Sequence, residues 1–360
     1  MKICLLTRTF SLSGGIGRVS SGIRDELIRQ GHEVYCISTT KEGLASYFTY
    51  TAFKIPFKIP RGYDIYHAIT PMESIWIPKS KGISIILDLI AITHPHLYGG
   101  RWNKSIVTFH DLAPITHPDL HGAGFGYSKV KSIIARRYFE FACKQAVKCR
   151  YIVTVSEHVK EEVIRIFGID ENKVKVIKSG IRNDLEPKPK DSVFRLGYLA
   201  QLDRRKRVDL LIKAFRKSEL DELVIGGEGL DEPLLRKQAK GDNRIRFLGF
   251  IPDNELVNFY NSLDIFVFPT AIEGYGLPIV EAMACKKPVI VLDDAIIPWE
   301  VKKRCIIVRD LDVALGSKQY LEGLCKSIDI EGNYEWAKEH DWKKSVGEYV
   351  KLYKEISGKN

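Results

Sequence analysis

The sequence predicts an α/β protein made of two doubly wound domains that face each other across a cleft. Three observations predict it. Short apolar runs rich in β-branched residues alternate with longer stretches of helical periodicity, the signature of parallel βαβ units. The alternation occurs twice within 360 residues, a length suited to two ordinary cores. Between the two series lies NDLEPKPKDS, residues 183–192, polar and carrying two prolines, which reads as a linker.

Residues 1–182 form the first domain, with strands KICLLT, EVYCIS, DIYHAI, SIVTFH and YIVTVS and helical stretches at 19–30 and 129–149. Residues 193–340 form the second, with strands FRLGYLA, ELVIGG, RIRFLG, DIFVFP and PVIVL and helices at 208–216 and 255–261. Ligands of such sheets bind outside the carboxyl ends of the strands. Residues 341–360 carry DWKKSVGEYVKLYKEI, whose Val346, Tyr349, Val350 and Tyr353 fall on one helical stripe. The opening MKICLLTRTF reads as a buried first strand, since no small-residue cleavage site follows its apolar run.

Composition narrows the class. With 45% hydrophobic and 28% charged residues the chain reads as a soluble globular protein. The longest apolar run, ISIILDLIAI at 83–92, contains Asp88 and is far too short to span a bilayer. Seven scattered cysteines without a C-x-x-C pair point to reduced thiols and a cytoplasmic location rather than to disulfides or zinc. The net charge of +10 is uneven. Residues 1–180 hold 25 Lys/Arg against 15 Asp/Glu, and the rest hold 30 against 30, so the first half suits an anionic partner.

The most informative stretch is EGYGLPIVEAMAC at 273–285, which follows the strand DIFVFP. Gly274 and Gly276 let backbone approach a ligand, and Pro278 suits a first helical turn. Free amides at that helix start favour a phosphate. Glu281, one turn further on, could accept hydrogen bonds from a vicinal diol such as ribose, and Glu273 from a second sugar. An ordinary tight turn with capping glutamates explains the same residues.

Other stretches also lie at strand ends. LAQLDRRKRVDLLIKAF places Arg204, Arg205, Lys206 and Arg207 before a helix, where they could meet a diphosphate or simply be solvated. VIGGEGLDE sets Gly227 in a glycine turn. SGGIGRVS resembles a dinucleotide fingerprint, but Ser20 replaces the third glycine and no acidic residue ends the next strand. FHDLAPITHPDLH ends a strand with His110, and its spacings match no zinc site. Residues 129–150 carry seven Lys/Arg against Glu140 along an apolar stripe, a basic amphipathic helix that could pack on its own sheet or lie on an anionic membrane.

Together these pieces resemble the family 4 glycosyltransferases, retaining nucleotide-sugar enzymes of GT-B architecture. The resemblance rests on EGYGLPIVEAMA at 273–284, GGIGR at 14–18, FHDLAPITHP at 109–118, TVSEH at 154–158, KVKVIKSGI at 173–181, KRVDLLIKAF at 206–215 and FLGFIPDNEL at 247–256. The terminal helix resembles the family's helix that crosses back onto the first domain.

The resemblance implies roles. Glu281 would bind the donor ribose, and Glu273 and His110 the transferred sugar. Amides of Tyr275, Gly276 and Leu277 would cradle the diphosphate, and Lys206 would neutralise it in place of a metal. The Gly14–Gly15 loop would close over the phosphates. Backbone near Ile251 and Pro252 would meet the base, and Gly227 would line the donor site. No cofactor is implied. The donor would be a UDP-, GDP- or ADP-linked sugar. The acceptor would be a sugar or lipid-linked hydroxyl, presented in the cytoplasm or at the cytoplasmic face of a membrane, with no nucleic acid involved. Retention would come from same-face attack assisted by the leaving phosphate oxygen.

Three departures stand out. Tyr198 occupies the position of a family arginine, so Arg204 or Arg205 is expected to supply that cation. Arg182 replaces an aspartate, which affects a linker contact. Arg207 replaces a glycine, so the loop backbone is expected to sit differently. The alternatives are a nucleotide-sugar 2-epimerase or glycan phosphorylase of the same fold, or a non-catalytic binder of anionic lipid or nucleic acid. No nucleic-acid-binding motif supports the last.

Overall fold

A computed structural model describes residues 1–7, 9–10, 15–38, 62–74, 101–122 and 129–359. Gly14 and the apolar run at 83–92 lie outside the described residues.

The described residues form two six-stranded sheets, parallel throughout. The first comprises β1 (Lys2–Thr7), β2 (Glu33–Ser38), β3 (Ile65–Ala68), β4 (Ser105–Phe109), β5 (Tyr151–Thr154) and β6 (Val174–Val176), in the order β2-β1-β3-β4-β5-β6. The second comprises β7 (Arg195–Leu199), β8 (Glu222–Gly226), β9 (Ile245–Gly249), β10 (Ile265–Val267), β11 (Val289–Leu292) and β12 (Ile306–Val308), in the order β12-β11-β10-β7-β8-β9. Each domain gains one strand beyond the sequence expectation. VKV and IIV are three-residue edge strands, too short for a periodicity signal.

The strand order of the second sheet reverses between β7 and β10, from which the chain builds outward in opposite directions; this is its topological switch point, where doubly wound sheets open a crevice. The loops leaving β7 and β10 therefore form the walls of that crevice. The central strands are buried on both faces, as their continuous apolar runs require.

The 183–192 stretch is less free than its polar composition suggests. Leu185 is fully buried, and the Asn261 side chain binds it on both sides, accepting from the Lys188 amide at 2.6 Å and donating to the Glu186 carbonyl at 2.8 Å. Arg182 pairs with Asp184 and, at 3.3 Å, with Asp253 of the second domain, so the substituted position still makes a cross-domain contact.

The terminal helix, Trp342–Ser357, returns to the first sheet as expected and packs against helix Gly15–Arg29. Val346, Tyr349 and Tyr353 are buried, while Val350 is only partly so. The Tyr353 hydroxyl meets His67 Nδ1 at 2.6 Å, His67 Nε2 meets Thr108 Oγ1 at 2.9 Å, and Thr108 meets the Tyr349 hydroxyl at 3.2 Å. Burial pushes the His67 imidazole down to about 3, so it stays neutral. A net hydrogen bond is worth about 1 kcal/mol, and each buried aromatic about 2–3 kcal/mol, so apolar burial dominates the docking.

Candidate active site

The second sheet sets the two loops of its crevice face to face. After β7 the chain makes a short 3-10 turn, Arg204–Lys206, which points its three cations differently. Arg204 is exposed, while Lys206 is buried and Arg205 nearly so. After β10 the chain runs through Thr270 to Glu273. Lys206 Nζ is paired directly with Glu273 Oε1, and the Thr270 hydroxyl donates to the same oxygen at 2.7 Å. Arg205 donates to the Ile272 carbonyl at 3.0 Å and lies 3.8 Å from Glu273 Oε1. Its Nε is buried with no hydrogen-bond partner among the described residues.

Two cations thus converge on one carboxylate. Burial pushes the Glu273 carboxyl up, but Lys206 and then Arg205 pull it below the usual range, so it is ionised. Burial and the adjacent guanidinium lower the Lys206 ammonium, against the pull of Glu273.

The next turn is shaped by close approach. Gly274 lies against the first domain, where a Cβ would overlap the His110 carbonyl oxygen. Its own carbonyl accepts from Ser156 Oγ at 2.8 Å, and Ser156 also caps helix Glu157–Phe167. Gly276, at φ 95°, caps helix Leu277–Ala284 and leaves that helix's first amides at the crevice. Tyr275 is buried and its hydroxyl bonds His340 Nε2. Glu281 accepts from the Tyr260 hydroxyl at 2.6 Å and lies 3.7 Å from Arg18 of the first domain. Burial raises its carboxyl above the usual range, with Arg18 and Tyr260 opposing.

His110 stands at the end of β4, where its Nε2 meets the Ile69 carbonyl at 3.0 Å. A carbonyl only accepts, so Nε2 carries the proton and Nδ1 is left as an acceptor. Burial lowers the imidazole, which keeps it neutral. Gly227, at φ 106°, passes so near the Ala200 carbonyl that no side chain fits, which draws the β8 loop onto the β7 loop. Ile251 is buried against Gly226. Gly15 opens its helix and is exposed. Among the described residues no group of three His, Cys, Asp or Glu is placed to hold a metal, and no helix is long and apolar enough to cross a membrane.

A family model described as Glycosyltransferase Family 4 matches residues 13–185, and one described as Glycosyl transferases group 1 matches 181–304, so the two overlap at residues 181–185, where the linker begins.

The chain belongs to the family 4 glycosyltransferases.

O-antigen chain mannosyltransferase B of Escherichia coli is 25% identical over 244 residues, which are 61% of this chain and 64% of that protein, a little under two thirds of its length. An uncharacterized glycosyltransferase of Methanocaldococcus jannaschii is 26% identical over 390 residues, 98% of each chain. Among solved structures, Anabaena HepE in complex with UDP and glucose aligns with a TM-score of 0.66 at 16% identity, over 99% of this chain and all of that one, a likeness of fold.

Two departures from the family pattern now have a physical account. Tyr198 is fully buried, stacks on Phe268 and donates to the Gln201 carbonyl at 3.1 Å, so it offers no charge to the crevice. Of the two arginines expected to replace the missing cation, Arg205 reaches the crevice and Arg204 does not. Arg207 sits at φ 52°, the left-handed region natural to glycine. Its side chain donates to the Pro269 and Thr270 carbonyls, both at 2.8 Å, and grips Asp294 with bonds of 2.6 and 2.8 Å. It ties together the loops after β7, β10 and β11. Sequence reading also missed Ser156, His340 and Arg18. The serine lay inside the quoted TVSEH run, but nothing local marked its distant partner.

Proposed function

We propose that the protein transfers a hexose, with retention, from a nucleotide-diphosphate sugar to a hydroxyl acceptor. The observation that carries this reading is the convergence of Lys206 and Arg205 with Glu273 at the switch point, beside the helix-start amides after Gly276. Breaking the anomeric C–O bond leaves two electrons on the diphosphate oxygen and an oxocarbenium-like carbon. Lys206, Arg205 and the amides of Tyr275, Gly276 and Leu277 are placed to stabilise the growing negative charge without a metal, at a few kcal/mol for each well-aimed donor. The acceptor hydroxyl then bonds to the same face of the anomeric carbon and gives its proton to the departing phosphate oxygen. Glu273 and the Nδ1 of His110 accept from sugar hydroxyls, and Glu281 from the ribose.

The relatives support a hexose and a glycan product: one is named for O-antigen mannose transfer, and the HepE structure holds UDP and glucose. For the acceptor we favour a lipid-linked glycan of the O-antigen or lipopolysaccharide type. Helix Lys129–Ala146 supports it in part. Ala142, Cys143 and Ala146 pack inward, but Ile133 is 60% exposed and Arg136, Arg137 and Lys144 face solvent. Lys144 and Arg137 share Glu140, at 2.9 and 3.6 Å, which leaves a smaller free charge than the sequence suggests. Each cation near an anionic bilayer contributes about 1 kcal/mol.

A thermal-shift screen across UDP-, GDP- and ADP-hexoses tests the donor. A ligand at 100 times its Kd adds about 2.7 kcal/mol, and no shift with any of them would sink the reading. Transfer should persist in EDTA, and co-sedimentation with anionic vesicles at low salt should be lost at high salt.

A further inference from the structure

We propose that Arg18 is the cross-cleft counter-ion of Glu281, which makes a first-domain residue a determinant of ribose recognition. The proposal rests on the reading of Glu281 as the ribose ligand.

Glu281 sits in helix Leu277–Ala284 with its side chain only 6% exposed. An ionised carboxylate in such a place needs a cation. The groups of its own domain that face it do not provide one. Helix Asp253–Ser262 offers the neutral Tyr260 hydroxyl and the negative Asp253, and its own helix end offers Cys285. The cations that act on it come from elsewhere. Arg18 reaches across from helix Gly15–Arg29, with one guanidinium nitrogen 3.7 Å from Glu281 Oε2 and Nε 3.6 Å from Asp253 Oδ1. Arg182 lies 3.3 Å from the other Asp253 oxygen. Asp253 is thus bracketed by two arginines, and Arg18 also comes within 3.7 Å of Glu281.

The separation matters. At 3.7 Å the guanidinium stabilises negative charge without making a hydrogen bond, so it takes no acceptor site from the carboxylate. A carboxylate has about four such sites, and Tyr260 occupies one. The rest remain for the two ribose hydroxyls, which bind an ionised carboxylate best. Burial pushes Glu281 toward its protonated form and Arg18 opposes this. Ribose recognition then depends on the first domain being in place, and without Arg18 it depends on pH.

Calorimetric titration of the full chain with UDP and 2′,3′-dideoxy-UDP, and with the guanosine pair, at pH 6, 7 and 8.5 tests this. The wild type should prefer the ribose form at least tenfold at every pH. Arg18→Gln should lose at least fivefold of that preference at pH 6 and regain most of it at pH 8.5, while Arg18→Lys should retain it. An unchanged preference in Arg18→Gln at every pH would overturn the proposal. A uniform loss that Arg18→Lys does not rescue would overturn it too, since Arg18 would then act other than through charge. No ribose preference in the wild type, despite tight UDP or GDP binding, would retire the Glu281 reading itself and this proposal with it.

Discussion

Glu273 and Glu281 belong to one turn and the helix that follows it, yet they live in opposite electrostatic settings. Glu273 is held ionised by Lys206 and Arg205, both from the loop after β7. Glu281 is buried beside a tyrosine and an aspartate, with its nearest cation on the other domain. The difference shows that one short motif can carry two unlike carboxylates, because distant loops and not the motif decide their charge. The first belongs to a preformed electrostatic cluster. The second is a buried carboxylate raised by desolvation, which Arg18 opposes from across the cleft.

The comparison breaks most visibly at Lys206. Lys206→Ala removes the partner of Glu273 and, on the proposed reading, a donor to the leaving diphosphate. We expect kcat to fall about 10²–10³-fold, while the Kd for the nucleoside diphosphate moves far less; steady-state transfer and calorimetry together check this. A wild-type kcat would detach the cluster from the chemistry.

A sharper contrast lies in stability against pH. Glu273, with a lowered folded pKa, contributes stability above the ordinary carboxylate pKa of about 4.3, lost as pH falls through the folded value. Glu281, with a raised folded pKa, favours folding below about 4.3 and loses that contribution as pH rises through its folded value. Glu273→Gln should therefore lower Tm at pH 7, and Glu281→Gln should raise it, each by a few degrees for about 1 kcal/mol. Both differences should shrink below pH 4 in melts followed by circular dichroism. Shifts of the same sign at pH 7 would erase the distinction.

Arg207→Gly is expected to act mainly on rate. It relieves about 1 kcal/mol of left-handed strain but gives up the Asp294 pair and the donations to the Pro269 and Thr270 carbonyls, so Tm should fall by a few degrees. The loops bearing Lys206 and Glu273 would lose their tie, and kcat should drop about tenfold. The smallest effect belongs to Arg204→Ala, which should stay within about twofold of wild type in kcat, because this side chain faces solvent. A large loss there would return the missing cation to Arg204.

Much of this was legible in the residues. The alternation of strands and helices, its repetition, the crossing helix and the EGYGLP turn all leave local signals, since period, glycine placement and helix starts are properties of neighbouring residues. What was not legible lies between residues far apart in the chain. Nothing local distinguishes Arg204 from Arg205; a single 3-10 turn sends one outward and the other inward. Arg18 meets Glu281, and Ser156 meets Gly274, only after both domains have folded. His67, inside an apolar strand, gave no hint that it would bind Tyr353. The pairing of Arg137 and Lys144 with Glu140 shows only once the basic run at 129–150 is wound into a helix.

The chain crosses between the domains twice, once into residues 183–192 and once back into the terminal helix. The two crossings touch: the Ile181 amide donates to the His340 carbonyl at 2.8 Å, and Ile181 and Asp341 form an isolated parallel bridge. The two connections are thus pinned to each other, so neither can shift without carrying the other along. Tyr275, whose hydroxyl bonds His340, ties the turn that opens helix Leu277–Ala284 to the same point, so the crevice and both connections share one anchor.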